Sequence, residues 1–272
     1  MRNPIVFSDV DGTLVTGGQQ ILPKTLGAIR ALRETGVPFV IVSARSPSGI
    51  YSLHRQYGFS GPIVSYSGAL ILDEDGSVIA SKGYPRKLAQ EVIAFLEENR
   101  FDCAWNLFSL DTWLVKDRSD GRIRVEEKEV GAQSQEGSAD MLPEDAVINK
   151  ILLICHPACV ETIQQALCQQ FPSLNVVESS NCLLEVMAKG ISKGDAVRTL
   201  CERWQIPLEK AIAFGDFYND VEMLEAVGMP WVMKNAPKEL QKRFGRVTTH
   251  TNNDEGVYHT LVEMGLVPEI EA

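Results

Sequence analysis

No stretch of this chain approaches the ~20 consecutive apolar residues that a membrane helix needs. Its opening segment, MRNPIVF, meets Asp9 before an apolar signal core can form. A cytoplasmic protein with no membrane contact is therefore expected. No basic run tracks a phosphate backbone either: 26 Lys+Arg stand against 36 Asp+Glu, a formal charge of −10, which argues against a nucleic-acid partner. The six cysteines (Cys103, Cys155, Cys159, Cys168, Cys182 and Cys201) lack C-x-x-C spacing. Cys155 and Cys159 have no second pair to complete a zinc site, so reduced core thiols are expected. The four histidines (His54, His156, His250 and His259) lack H-x-x-x-H or H-E-x-x-H spacing, which excludes the usual zinc-hydrolase arrangement. G-x-x-x-x-G-K-[ST], G-x-G-x-x-G after a strand and G-x-S-x-G are missing too, and with them the common nucleotide loops and the serine-hydrolase elbow.

What remains is a chain able to build a core, with 44% hydrophobic residues, and at 272 residues long enough for two unequal domains. Strand and helix patterns alternate at the start. IVFSDV reads as a strand, TLGAIRALRETG as an amphipathic helix closed by Gly36, PFVIVSA as a buried strand, SGIYSLHRQYG as a helix and GPIVSY as a strand. Continuous apolar strands separated by helices predict a parallel sheet covered on both faces.

After about residue 83 the pattern changes. The helix RKLAQEVIAFLEENR leads into two successive strands, FDCAWNLF and DTWLVKD, and then a polar stretch from Arg118 to Asp145 without periodicity. KILLICH, the helix VETIQQALCQQF and the strands LNVVES and CLLEVMA follow, the mark of an α+β module. Near Lys193 the first alternation resumes. The expected architecture is a doubly wound, Rossmann-like α/β core (residues 1–83 and 189–272) interrupted by an α+β domain (residues 84–188).

In open α/β sheets, reactive groups gather beyond the carboxyl ends of the parallel strands. Four such ends carry unusual residues. At FSDVDGTLV, Asp9 and Asp11 are two apart, so an extended strand would send both carboxylates to one side, and Gly12 lets the backbone turn close to a ligand. An ionised Asp9 can attack phosphorus to give an aspartyl-phosphate, and Asp11 can protonate the leaving oxygen and then deprotonate water. The alternative is an acidic loop that merely caps its turn.

Ser43 ends PFVIVSA, where its hydroxyl and the Ala44 amide can donate to a phosphoryl oxygen, or where the serine is an ordinary helix cap. Lys193 opens a helix, against the helix dipole. A phosphate beside an ionised carboxylate meets ~4 kcal/mol of repulsion per charge pair at about 4 Å and an effective dielectric near 20, so a fixed cation is required. Asp216, Asn219 and Asp220 in FGDFYND supply the hard oxygen ligands that Mg²⁺ prefers. Asp220 also stands where it would be the N-cap of the helix DVEMLEAVG.

The set DVDGT, Ser43, Lys193 and GDFYND resembles the haloacid dehalogenase superfamily of phosphatases, in the order and spacing of its Cof-type subclass, across essentially the whole chain. The resemblance implies Asp9 as nucleophile and Asp11 as acid/base. It implies Ser43 and Lys193 on the phosphate, and Asn219 near phosphate and metal. It also implies a Mg²⁺ site of Asp9, the backbone carbonyl of Asp11, Asp216 and Asp220. The long insert between Ser43 and Lys193 is where such proteins carry a cap, and KNAP and THTNNDEGV look like their closing motifs. Three departures stand out: Ser43-Ala44-Arg45 in place of T-G-R, Ser67-Gly68-Ala69 in place of N-G-A, and the bulky Phe217 inside GDFYND.

The expectation is a Mg²⁺-dependent phosphatase acting on a small phosphorylated metabolite, a sugar phosphate by resemblance, with no obligate protein partner evident. A sugar phosphomutase and a regulatory protein that binds a phosphometabolite without turnover are the alternatives.

Overall fold

The computed structural model describes residues 3–270, which form two compact units. The first comprises the chain through Ala44, Leu53–Ile79 and the chain from Ser192 onward. The second comprises Ala80–Ile191 together with Arg45–Ser52, and nothing in the sequence pattern assigns that short segment to it.

In the first unit the strands Ile5–Ser8, Phe39–Val42 and Ala211–Gly215 are buried along their full length, as continuous apolar runs must be when both sheet faces are covered. Ile5–Ser8 lies between the other two and pairs with both in parallel, bringing Ser8 level with Ile41 on one side and Phe214 on the other. The seven-stranded sheet runs in the order Met229–Val232, Ala211–Gly215, Ile5–Ser8, Phe39–Val42, Ile63–Ser65, Leu70–Leu72 and Val78–Ser81. The first five strands are parallel, whereas Leu70–Leu72 turns back antiparallel on Ile63–Ser65. The α/β core thus carries an antiparallel edge that the alternation of strands and helices did not announce.

Two helices bear on the carboxyl ends of these strands. Pro23–Glu34 buries Thr25, Ala28, Ile29 and Leu32, one stripe of a 3.6-residue repeat. Its first turn has no cap from Leu22. Instead, the carboxylate of Glu255 accepts from the amides of Lys24 (3.1 Å) and Thr25 (2.7 Å) and from the Thr25 hydroxyl. Lys193–Arg203 is capped by Ser192, whose hydroxyl accepts from the Asp195 amide at 3.1 Å. A Cβ on Gly194 would lie 2.4 Å from the carbonyl oxygen of Glu222, so only glycine lets this helix reach the backbone of Val221–Ala226.

The second unit contains a six-stranded sheet in the order Leu174–Ser180, Leu183–Ala188, Lys150–Cys155, Cys103–Ser109, Thr112–Val115 and Gln135–Glu136, antiparallel except for the last pair. The helices Arg86–Glu98 and Val160–Gln170 cover one face through Val92, Leu96, Ile163 and Leu167, packed with Leu107, Ile151, Leu153 and Leu184.

The stretch Arg118–Asp145, read above as aperiodic, contains the helix Gly121–Val130. Asp120 caps it through the Arg122 amide, Gly131 closes it in the left-handed region, and of its residues Ile123 alone is buried. Arg118 ties its far turn through Glu127, and Arg122 pairs with Asp102 and Asp120. Caps and ion pairs, which leave no apolar stripe to read, define this helix. Among the described residues no helix is long and apolar enough to cross a membrane.

Candidate active site

The site grows from the three adjacent strand ends of the first unit. Asp9 is the first residue past Ile5–Ser8; its amide still bonds the Phe214 carbonyl at 3.0 Å, and its side chain is buried. From there the chain is no longer extended. The amides of Thr13, Leu14 and Val15 all bond back to the Val10 carbonyl, so Asp11 stands in a turn, exposed, where its carboxylate accepts from Gln19 Nε2 at 3.1 Å. The strand alternation invoked for Asp9 and Asp11 therefore does not apply: the turn, not the pleat, aims these two side chains.

Gly12 has φ +83°, and a Cβ there would sit 2.3 Å from Asp216 Oδ2. It is needed both for the turn and for the closeness of the neighbouring strand end. The Thr13 hydroxyl donates to Asp216 Oδ1 at 2.9 Å. Asn235 Nδ2 donates to the Gly12 carbonyl at 2.8 Å, the Asn252 amide donates to Asn235 Oδ1 at 3.1 Å, and Asn252 Nδ2 donates to the Val15 carbonyl at 2.9 Å. The segments KNAP and THTNNDEGV thus clamp the Asp9–Val15 turn from behind. Their asparagines were visible in the sequence, but a side-chain grip on a backbone more than 200 residues away leaves no local pattern.

Lys193, 2% exposed, is the centre of the arrangement. Its Nζ lies 2.5 Å from Asp9 Oδ1 and 2.6 Å from Asp220 Oδ1. Asp220 occupies the N-cap position of Val221–Ala226 but makes no cap bond there. Its second oxygen turns back to accept from the amides of Asp216 (2.9 Å) and Phe217 (3.1 Å), and Gly215 leaves room for it. The N-cap expectation for the Asp220 side chain is thereby replaced: it organises the GDFYND loop and the lysine together. Phe217 is 54% exposed and meets the neighbouring Tyr218 ring edge-on at 5.0 Å.

Ser43, buried, follows Phe39–Val42, with Ala44 half-buried beside it. The Ser43 carbonyl accepts from the Ser67 amide at 2.9 Å. Tyr66, Ser67 and Gly68 have φ of 50°, 55° and 110°, and a Cβ on Gly68 would lie 2.2 Å from the Ser192 carbonyl oxygen. This run of left-handed residues links the Ser43 strand end to the start of the Lys193 helix. Asn219 is exposed on its 3₁₀ turn, outside the buried group.

The electrostatics follow from crowding. Burial first, and then the Asp220 carboxylate, push Asp9 up to about 8 against the opposing pull of Lys193. Burial and Asp220 likewise raise Asp216 to about 6, with Thr13 and Lys193 opposing and Asp11 adding to the rise. Burial alone would lower Lys193, but Asp9 and Asp220 together outweigh it and hold its pKa above the ordinary value. Asp9, Asp216 and Asp220 each offer an oxygen within 4.8 Å of the others, while the Asp11 carboxylate is not among them. If a cation holds all three acids ionised, they exceed the one ammonium by two negative charges, and the donors are all hard oxygens. That set fits a divalent cation such as Mg²⁺.

The family model for haloacid dehalogenase-like hydrolases matches residues 6–261. A Haemophilus influenzae protein is 36% identical over 273 residues, covering 97% of this chain and 98% of its own. The HMP-PP phosphatase of Yersinia pseudotuberculosis is 27% identical over 93% of this chain and 92% of its own. Among solved structures, a haloacid dehalogenase-like hydrolase from Bacteroides thetaiotaomicron superposes with a TM-score of 0.87 at 23% identity, covering 97% of this chain and 100% of that one.

Proposed function

This chain belongs to the haloacid dehalogenase-like hydrolases, in their Cof-type phosphatase branch, and we propose that it hydrolyses a small phosphorylated metabolite through an aspartyl-phosphate on Asp9, with Mg²⁺ as cofactor. The observation that carries this reading is the buried Asp9–Lys193–Asp220 bridge beside Asp216 at the ends of adjacent parallel strands. An ammonium has three donors, and two are committed to Asp9 and Asp220. The third is left to hold a phosphoryl oxygen next to the carboxylate that attacks it.

Asp9 attacks phosphorus with its carboxylate oxygen while the ester oxygen departs opposite. Asp11 gives that oxygen its proton and is left as an exposed carboxylate, which takes a proton from the water that attacks phosphorus as the bond to Asp9 breaks and its carboxylate is freed. Ser43 and the Ala44 amide orient the phosphoryl oxygens from the neighbouring strand end, and Asn219 approaches from the GDFYND turn. A divalent ion held by Asp9, Asp216, Asp220 and the Asp11 carbonyl would neutralise charge on the transferring group. Sugar phosphates are the first substrates to test, and the name of the Yersinia relative adds HMP-PP. The test is phosphate release across a panel of phosphorylated sugars, nucleotides and vitamin phosphates, ranked by kcat/KM, with chelator and with Mg²⁺ restored. One class standing out, with activity lost to chelator and recovered with Mg²⁺, supports the proposal; chelator-insensitive turnover overturns its metal part.

A further inference from the structure

The cysteines carry no spacing motif, yet the second unit brings two of them face to face. Cys103 and Cys155 are direct partners in the antiparallel ladder between Cys103–Ser109 and Lys150–Cys155. The Cys155 amide bonds the Cys182 carbonyl at 2.7 Å on the opposite strand, so its backbone groups point away from Cys103. One position along, the His156 amide bonds the Asp102 carbonyl at 3.1 Å. Ladder bonds alternate along an antiparallel pair, which makes Cys103–Cys155 a non-hydrogen-bonded pair. In such pairs the Cα atoms stand about 4.5 Å apart and the side chains leave on the same face, within the range of about 4.4–6.8 Å that a disulfide spans.

The two thiols are also unequal. Cys155 is buried, 3% exposed, and Cys103 is half-buried. The neighbouring Cys155 thiol lowers the pKa of Cys103, and the Arg122 guanidinium, held by Asp102 and Asp120, acts in the same direction. Cys155 itself is pushed up by its neighbour Cys103 and by burial. An accessible, acidified thiol beside a buried one is the arrangement of an attacking and a resolving cysteine.

We propose that Cys103 and Cys155 are a modification site, closing reversibly to a cross-strand disulfide on reaction with a low-molecular-weight disulfide such as oxidised glutathione. The Cys103 thiolate attacks one sulfur of the reagent and expels a glutathione thiolate, leaving a mixed disulfide. The Cys155 thiolate then attacks Cys103 sulfur and expels the second. The two thiol protons pass to the departing thiolates, so the protein pair is oxidised and the reagent is reduced to two thiols.

The test treats the folded full chain with oxidised glutathione and maps crosslinked peptides by non-reducing mass spectrometry, before and after dithiothreitol. The expected product is one intramolecular Cys103–Cys155 crosslink, removed by dithiothreitol, unaffected in Cys159→Ser and absent in Cys103→Ser. A Cys103–glutathione adduct that never resolves, a Cys155 crosslink to Cys159 or Cys182, or an unreacted pair would each overturn the proposal. Circular dichroism of Cys103→Ser matching the parent shows that the loss does not come from unfolding; should that variant misfold, the map of the unsubstituted chain decides alone.

Discussion

Lys193 Nζ and Asp220 Oδ1 are 2.6 Å apart with side-chain exposures of 1% and 0%, an ion pair with no share of solvent. Breaking a buried pair from one side costs about 3–5 kcal/mol, because the partner stays buried and unpaired. In Lys193→Met the loss falls on two carboxylates, Asp9 and Asp220, at once. We expect denaturant unfolding to show destabilisation of this size, with part of it recovered on adding Mg²⁺ and no phosphatase activity at any Mg²⁺ concentration.

Gly12→Ala tests the closeness of the two strand ends. The new methyl would overlap the Asp216 carboxylate, and φ +83° strains any β-carbon. A stability loss of about 1–3 kcal/mol is expected from the backbone strain, with half-saturation moved to higher Mg²⁺ as Asp216 is pushed aside. Metal titration of activity checks this: an unshifted half-saturating Mg²⁺ would separate Gly12 from the metal ligands.

Ser67 sits at φ 55° between Tyr66 and Gly68, which are also left-handed. Asparagine tolerates that region better than serine, so Ser67→Asn is expected to raise the unfolding free energy by part of the roughly 1–2 kcal/mol that the left-handed conformation costs an ordinary residue. Equilibrium unfolding in urea measures it, and an unchanged midpoint would show that the neighbouring contacts, not the dihedral, set the energy of this turn.

His54 gives the fold a pH dependence of its own. It is 8% exposed, and burial pushes its pKa down to about 4, against a smaller upward pull from Glu74. The folded state therefore refuses a proton that the unfolded chain accepts. Stability from this group is complete above about pH 6.5 and drains away as pH falls towards 4, by about 3 kcal/mol in all. His54→Leu should flatten the stability profile between pH 6.5 and 4; an unchanged slope would assign the acid sensitivity elsewhere.

The legible parts of this molecule were those written in local pattern. Phe39–Val42 and Ile63–Ser65 read as strands in PFVIVSA and GPIVSY because burial on both faces demands unbroken apolar runs. Asp9, Ser43 and Asp216 were found together because each directly follows such a run. The helix Lys238–Phe244 escaped notice because its seven residues bury only Leu240, and Gly121–Val130 because its ends are held by charges. Asn235, Asn252 and Thr13 escaped for another reason: each acts on a group brought near by the fold alone. The aim of Asp11 differs from the expectation because the strand ends at Ser8, two residues short of the IVFSDV reading that alternation relies on.

The most direct test of the account is Asp9→Asn, assayed for phosphate release and for unfolding without metal. The substitution removes a carboxyl whose ionisation burial and Asp220 oppose and leaves the core untouched, so the metal-free fold should be at least as stable as the parent. Activity should fall by at least about a thousandfold, the scale of losing a covalent nucleophile. Turnover near that of the parent from a folded Asp9→Asn protein would contradict the assignment of the nucleophile, and with it the mechanism.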